Sequence, residues 1–150
     1  MLPKKAQKLL NKVVKIRSDF DFILNEAFES SRKKIVQLNT VNQLFKSGVD
    51  NENKAIEPAY TPLTVSIKKR KGQPTNRVTL KDTGDFYRDT DVDFTTKDFT
   101  IINFNEKYQK LTEKYGDEIL GLTIESQAIL KNIVKDKVGK KLKNKLNYGL

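Results

Sequence analysis

Apolar residues recur every three or four positions near both ends of this chain, and every second position only over residues 91–104. A helix turns every 3.6 residues and a strand alternates every two, so the first pattern marks one face of a helix and the second one face of a strand. This combination confines the chain to an α+β fold: N-terminal helices, a small antiparallel sheet with a central β-hairpin, and a long C-terminal helix. Leu9, Leu10, Val13 and Val14 predict a short amphipathic helix over 4–16. Ser18 and Asp19 offer caps for a second helix, on which Ile23, Leu24, Ala27, Phe28, Ile35 and Leu38 form one stripe that Gly48 ends at the latest. At the other end, Thr123, Glu125 and Ser126 open a helix whose stripe reads Ala128, Leu130, Ile133, Val134, Val138, Leu142, Leu146.

Between these ends, residues 48–60 are polar and read as a loop. Thr61-Pro62 has the form of an N-cap with proline at the first helical position, which predicts a helix through Lys69, although Val65 and Ile67 also suit a strand. A loop follows over 70–77, broken by Gly72 and Pro74, and Gly84 marks a sharp turn. In the hairpin, Thr96-Lys97-Asp98 makes the turn, and Phe99, Ile101 and Asn103 alternate against Thr100, Ile102 and Phe104. Apolar residues on both faces predict that the second strand is interior to a sheet or covered on both sides. Glu106–Tyr115 reads as a helix stopped by Gly116, and residues 119–122 as an apolar corner.

Charge divides the chain differently. Residues 1–17 carry Lys4, Lys5, Lys8, Lys12, Lys15 and Arg17 with no acid, a charge of +6. Residues 131–150 carry Lys131, Lys135, Lys137, Lys140, Lys141, Lys143 and Lys145 against Asp136, again +6. The middle is slightly acidic. The expected organisation is a basic helical arm (1–17), an α+β body (18–138) and a Lys-rich tail (139–150) ordered mainly by a partner. Lys4, Lys5, Lys8, Lys12, Lys137, Lys140, Lys141, Lys143 and Lys145 are the candidate contacts to an acidic protein surface or a polyanion. The alternative for them is two solvated helical faces.

Catalytic equipment is sparse. The 150 residues hold no His and no Cys, which removes the usual near-neutral general base and every thiolate or imidazole metal ligand. Neither a Gly-rich phosphate loop nor an apolar run long enough for a membrane span occurs, and the N-terminus lacks a signal peptide's apolar core. Asp85, Asp89, Asp91 and Asp93 form the one metal-like cluster. Phe94 and Thr100 stand where a calcium loop needs glycine and glutamate, so 89, 91 and 93 read as a solvated strand face. Lys68-Lys69-Arg70-Lys71 lacks interleaved aromatics and reads as a solvated helix end that is also capable of touching phosphates. The chain is thus read as non-enzymatic, without cofactor or metal.

Leu80, Thr83, Gly84 and Phe86, preceded by Pro62-Leu63 and Lys68, are followed by the hairpin, then Tyr108, Tyr115-Gly116 and Ile119-Leu120-Gly121-Leu122-Thr123. This ordered series over about 40–135 resembles the phage virion-morphogenesis and tail-completion proteins, the head–tail connector and neck subunits. The resemblance implies a virion structural protein, made in the host cytoplasm, that assembles as a homo-oligomeric ring against portal, neck or tail proteins and has no catalytic residues. The alternative, resting on the basic ends, is a nucleic-acid-binding accessory protein that contacts DNA without sequence preference and has no membrane role.

Overall fold

The computed structural model describes residues 1–96 and 98–147. In chain order it contains α1 (Lys4–Glu29), α2 (Arg32–Gln37), a π-helical segment (Leu38–Ser47), α3 (Pro62–Arg70), α4 (Asp85–Arg88), β1 (Thr90–Phe94), β2 (Phe99–Asn103), α5 (Tyr108–Tyr115), a 3-10 turn (Asp117–Ile119) and α6 (Ile124–Asn147). This is the α+β arrangement read from the periodicities. Lys97 of the expected hairpin turn, and residues 148–150 of the tail, lie outside the described residues.

The two expected N-terminal helices are one. Ser18 does not cap; its hydroxyl donates to the Lys15 carbonyl at 2.7 Å, within the helix. No Gly or Pro interrupts residues 4–29, so nothing stops the helix there. The break comes at Ser30-Ser31, whose hydroxyls both donate to the Ala27 carbonyl (3.0 and 2.7 Å). The apolar stripe continues across that break, and Ile23, Ala27, Ile35 and Leu38 are all buried. Gly48 ends the π-helical segment at φ 65°, where a Cβ would lie 2.7 Å from that of Arg77. Pro62–Arg70 resolves as helix, capped by Thr61, whose hydroxyl accepts from the Thr64 N–H at 3.3 Å, with Pro62 in the first turn.

α1 and α6 pack antiparallel into one layer. Lys137 donates to Ser30, Lys141 pairs with Glu26 and Lys145 with Asp19, so rising α6 numbers meet falling α1 numbers. Neither helix breaks at the expected boundaries after residues 17 and 138. The tail lies along α1, with Leu142 against the core and the Lys12 ammonium 3.4 Å from the Leu146 carbonyl. The hairpin lays Val92, Phe99 and Ile101 on the body, with the Phe28 and Phe99 rings 5.9 Å apart.

Two further expectations fail. β2 is not interior: among the described residues the sheet consists of β1 and β2, paired antiparallel with Val92 opposite Ile101. Ile101 is buried, Ile102 is half-exposed and Phe104 is 74% exposed. The α6 stripe excludes Ala128, which is exposed, and starts from buried Ser126 through Leu130, Val134 and Val138. That spacing of four follows the helix groove, and Ala128 stands about half a turn away from Leu130. Leu130→Ala should therefore cost about 3 kcal/mol in urea unfolding, while Ala128→Lys should stay within about 0.5 kcal/mol.

Candidate assembly surfaces

The stretches around Gly84 and Gly121 build two joints of the fold. At the first, Thr79 is pinned from both sides. Its N–H donates to the Tyr60 hydroxyl at 2.8 Å, and the Tyr87 hydroxyl donates to its carbonyl. Burial pushes the Tyr87 phenol above its usual range, so it stays a donor. These anchors hold Leu80 at φ 54°, a left-handed conformation that costs a β-carbon-bearing residue about 1 kcal/mol. Gly84 follows at φ 92° and starts α4, which buries Phe86. Thr83 donates to Asp85, which also pairs with Arg88.

Lys68 belongs to this joint, not to a solvated basic end. It is buried, and its ammonium donates to the Lys81 carbonyl at 2.8 Å and to Gln73 Oε1 at 3.1 Å, beneath the Tyr60 ring. Lys71 pairs with Asp82 at 2.6 Å, and that ammonium holds the Asp82 carboxyl below the ordinary range. Lys69 and Arg70 stay exposed.

The second joint is the corner at 119–123. Gly116 ends α5 at φ 88°, and Tyr115 is half-buried beside it. Ile119, Leu120, Leu122 and Thr123 are buried. Their backbone is held by side chains about 80 residues earlier. Asn39 Nδ2 donates to the carbonyls of Ile119 (3.1 Å) and Gly121 (2.9 Å), and Gln43 Nε2 donates to Gly121 (2.9 Å). The Thr123 N–H donates to Gln43 Oε1 at 3.0 Å, and the Thr123 hydroxyl accepts from the Ser126 N–H at 3.1 Å to start α6. At Gly121, φ 133°, a Cβ would sit 2.6 Å from Asn51 Nδ2. Sequence reasoning missed Asn39 and Gln43, whose signal was only that they interrupt an apolar stripe.

The basic ends are brought together, because antiparallel α1 and α6 set the region of Lys12 to Asp19 beside the last turns of α6. Of the candidate contacts, Lys141 and Lys145 are engaged with Glu26 and Asp19, Lys140 pairs with Asp136 at 2.9 Å, and Lys137 caps Ser30. Lys12 also has partners within the chain. Lys4, Lys5, Lys8 and Lys143 form no ion pair among the described residues and are exposed.

Two apolar surfaces are uncovered. On α1, Leu9, Leu10, Val13 and Val14 are 45–60% exposed. At about 100° per residue, Leu9 and Val13 fall within about 60° of Phe20 and Leu24, so one face of α1 runs on toward the body. There Phe20 and Leu24 line an open groove of about 900 Å³ with Phe99, Ile101, Leu130 and Val134.

The acidic cluster is dispersed. The Asp91 carboxylate accepts from Arg32 at 2.6 Å, and with the Val92 N–H this holds its carboxyl below the usual carboxylate range. Asp89 precedes β1 and accepts from Asn105 at 2.6 Å, so it does not share the strand face of Asp91 and Asp93. Among the described residues no group of three or more acids is placed to hold a metal ion, and no helix is long and apolar enough to cross a membrane.

No protein-family model, curated protein or solved structure matches the chain. Gln43→Ala should strand the Thr123 N–H and weaken the hold on the Gly121 carbonyl, lowering stability by about 2–3 kcal/mol in urea unfolding. The same substitution at exposed Gln109 should change it by less than about 0.5 kcal/mol.

Proposed function

We propose that the protein is a non-catalytic structural subunit of a phage virion, a head–tail connector, neck or tail-completion component that assembles into a ring. The observation that carries this reading is the row of Leu9, Leu10, Val13 and Val14, four large apolar side chains exposed together on one helix. A contiguous apolar row on a helix is a protein-contact surface. Charge selects the kind of contact. A two-fold arrangement would oppose one basic end to another, whereas a head-to-tail arrangement sets the basic end against the slightly acidic middle of the next copy. Head-to-tail contacts close into rings, where repetition makes one weak contact strong. The ordered motif series, which forms the two joints of a single body, and the absence of His and Cys support the same reading. Native mass spectrometry should find a closed oligomer larger than a dimer, and Leu10→Glu with Val13→Glu should reduce it to monomer with the melting temperature kept within a few degrees. A strictly monomeric wild-type chain overturns the reading.

One observation favours a second reading, non-specific DNA contact. Antiparallel α1 and α6 bring the basic residues of both chain ends, Lys4, Lys5, Lys8 and Lys143 among them, toward one end of the molecule. Under this reading, affinity for duplex DNA of any sequence falls steeply between about 50 and 200 mM salt. Exchanging Lys4, Lys5 and Lys8 for Glu should then flatten the salt slope by about 0.9 for every phosphate that is no longer neutralised. A chain that binds no DNA at about 50 mM salt removes this reading.

A further inference from the structure

The two edges of the hairpin are treated differently. Cross-strand bonds bracket it, from the Phe104 N–H to the Asp89 carbonyl (3.0 Å) and from the Thr95 N–H to the Asp98 carbonyl (2.8 Å). Hydrogen-bonded pairs alternate in an antiparallel ladder, so Thr100 and Ile102 bond to β1, while the N–H and C=O of Ile101 and Asn103 turn away from it. The outer edge of β1 is closed: Arg32 donates to the Val92 carbonyl at 2.6 Å, and the Asp91 carboxylate takes the Val92 N–H at 2.8 Å. On β2, the outward backbone groups of Ile101 and Asn103 have no partner among the described residues. From Phe99 to Ile101 β2 lines the apolar groove.

The groove exists because the layers differ in width. Strands lie about 4.8 Å apart and packed helices about 8–10 Å, so two strands cover about half of a two-helix layer. The uncovered half leaves Phe20 exposed and Leu24 half-buried on α1, over a floor formed by the buried Leu130 and Val134 of α6 beside β2. Lys131 and Lys135 stand at its rim, and the acid there, Asp98, has its carboxylate engaged by the Phe99 N–H at 2.7 Å.

We propose that this groove accepts an extended, acidic segment of another protein as a third strand beside β2. Its backbone would pair with Ile101 and Asn103, alternate apolar side chains would cover Phe20, Leu24 and Phe99, and its acids would face Lys131 and Lys135. An α-helix seated in the groove would leave the β2 edge unpaired and desolvated. A second copy presenting its own β2 is excluded by shape. A two-fold axis at Ile101 would drive the overhanging α1–α6 layers of both copies into the same space. The segment must therefore arrive without a helical layer of its own, as a chain terminus or arm does. The site is centred about two turns farther along α1 than the Leu9–Val14 row proposed for ring assembly, and Leu10 and Val13 do not line it.

The test is selection of a displayed library of random peptides of about twelve residues against the full-length protein. The expected winners alternate apolar residues with at least two Asp or Glu. Binding of a winning peptide should slow hydrogen exchange at the Ile101 and Asn103 amides by more than tenfold. Lys131→Glu with Lys135→Glu should weaken it about tenfold, and Phe20→Glu, at a side chain already 42% exposed, should abolish it. Leu10→Glu with Val13→Glu should bind as wild type does, even where it abolishes oligomers. The proposal is overturned by winners with apolar residues at three- and four-residue spacing, by exchange at Ile101 and Asn103 unchanged on binding, or by a library that yields no binder.

Discussion

Two side-chain amides, those of Asn39 and Gln43, join the first half of the molecule to the second, and most of the fold follows from that joint. The corner at 119–123 is buried, and a buried backbone turn cannot leave its carbonyls and N–H groups without partners. Ladder bonds are unavailable there because the chain is neither strand nor helix from Leu120 to Thr123. Asn39 and Gln43 supply the partners from one helical face, four residues apart. The corner fixes where α6 begins and in which direction it leaves. That direction lays α6 antiparallel on α1 and brings Lys141 to Glu26 and Lys145 to Asp19.

With α1 and α6 fixed as a layer, the hairpin becomes the variable part. Arg32 ties β1 to the start of α2 and stacks over Phe94 at 4.9 Å. This anchors the sheet on one side and leaves β2 as its free edge. An edge strand with unpaired backbone groups is a hazard that folded proteins usually blunt with charge, proline or cover. β1 is blunted by Arg32 and Asp91, whereas β2 is left open on an apolar surface. The difference between the two edges follows from the single guanidinium that reaches over only one of them.

Charge has a comparable asymmetry. Pairing α1 with α6 concentrates both basic ends at one pole, and several of those lysines are turned inward to Asp19, Glu26 and Ser30. These are partly exposed pairs, each worth less than about 1 kcal/mol, so they steer register more than they stabilise. Lys4, Lys5, Lys8, Lys15 and Arg17 remain outward on α1, the helix that carries the apolar row, and Lys143 on α6. The same pole is therefore sticky and strongly positive, which favours unlike surfaces over self-contact.

The sequence by itself determined the helical ends, the alternating hairpin, the Thr61-Pro62 capping signal, the stops at Gly48 and Gly116, and the apolar corner at Ile119–Leu122. Each of these depends on local chemistry: side-chain period, a capping hydroxyl, or a backbone angle that glycine takes without strain. The sequence left 61–69 open to a strand and marked only a turn where α4 forms. Tertiary structure alone decided that 4–29 is one helix, because a serine hydroxyl serves equally as a cap or as a donor back into its own helix. It decided that Lys68 is interior, because only the folded chain places the Lys81 carbonyl and the Tyr60 ring around it. It also decided that β2 is an edge. Two apolar faces say that a strand meets cover on both sides, but not whether the same chain provides it. The number of strands beside β2 is set by how far the helix layer extends beneath it, a long-range quantity that no run of neighbouring residues encodes.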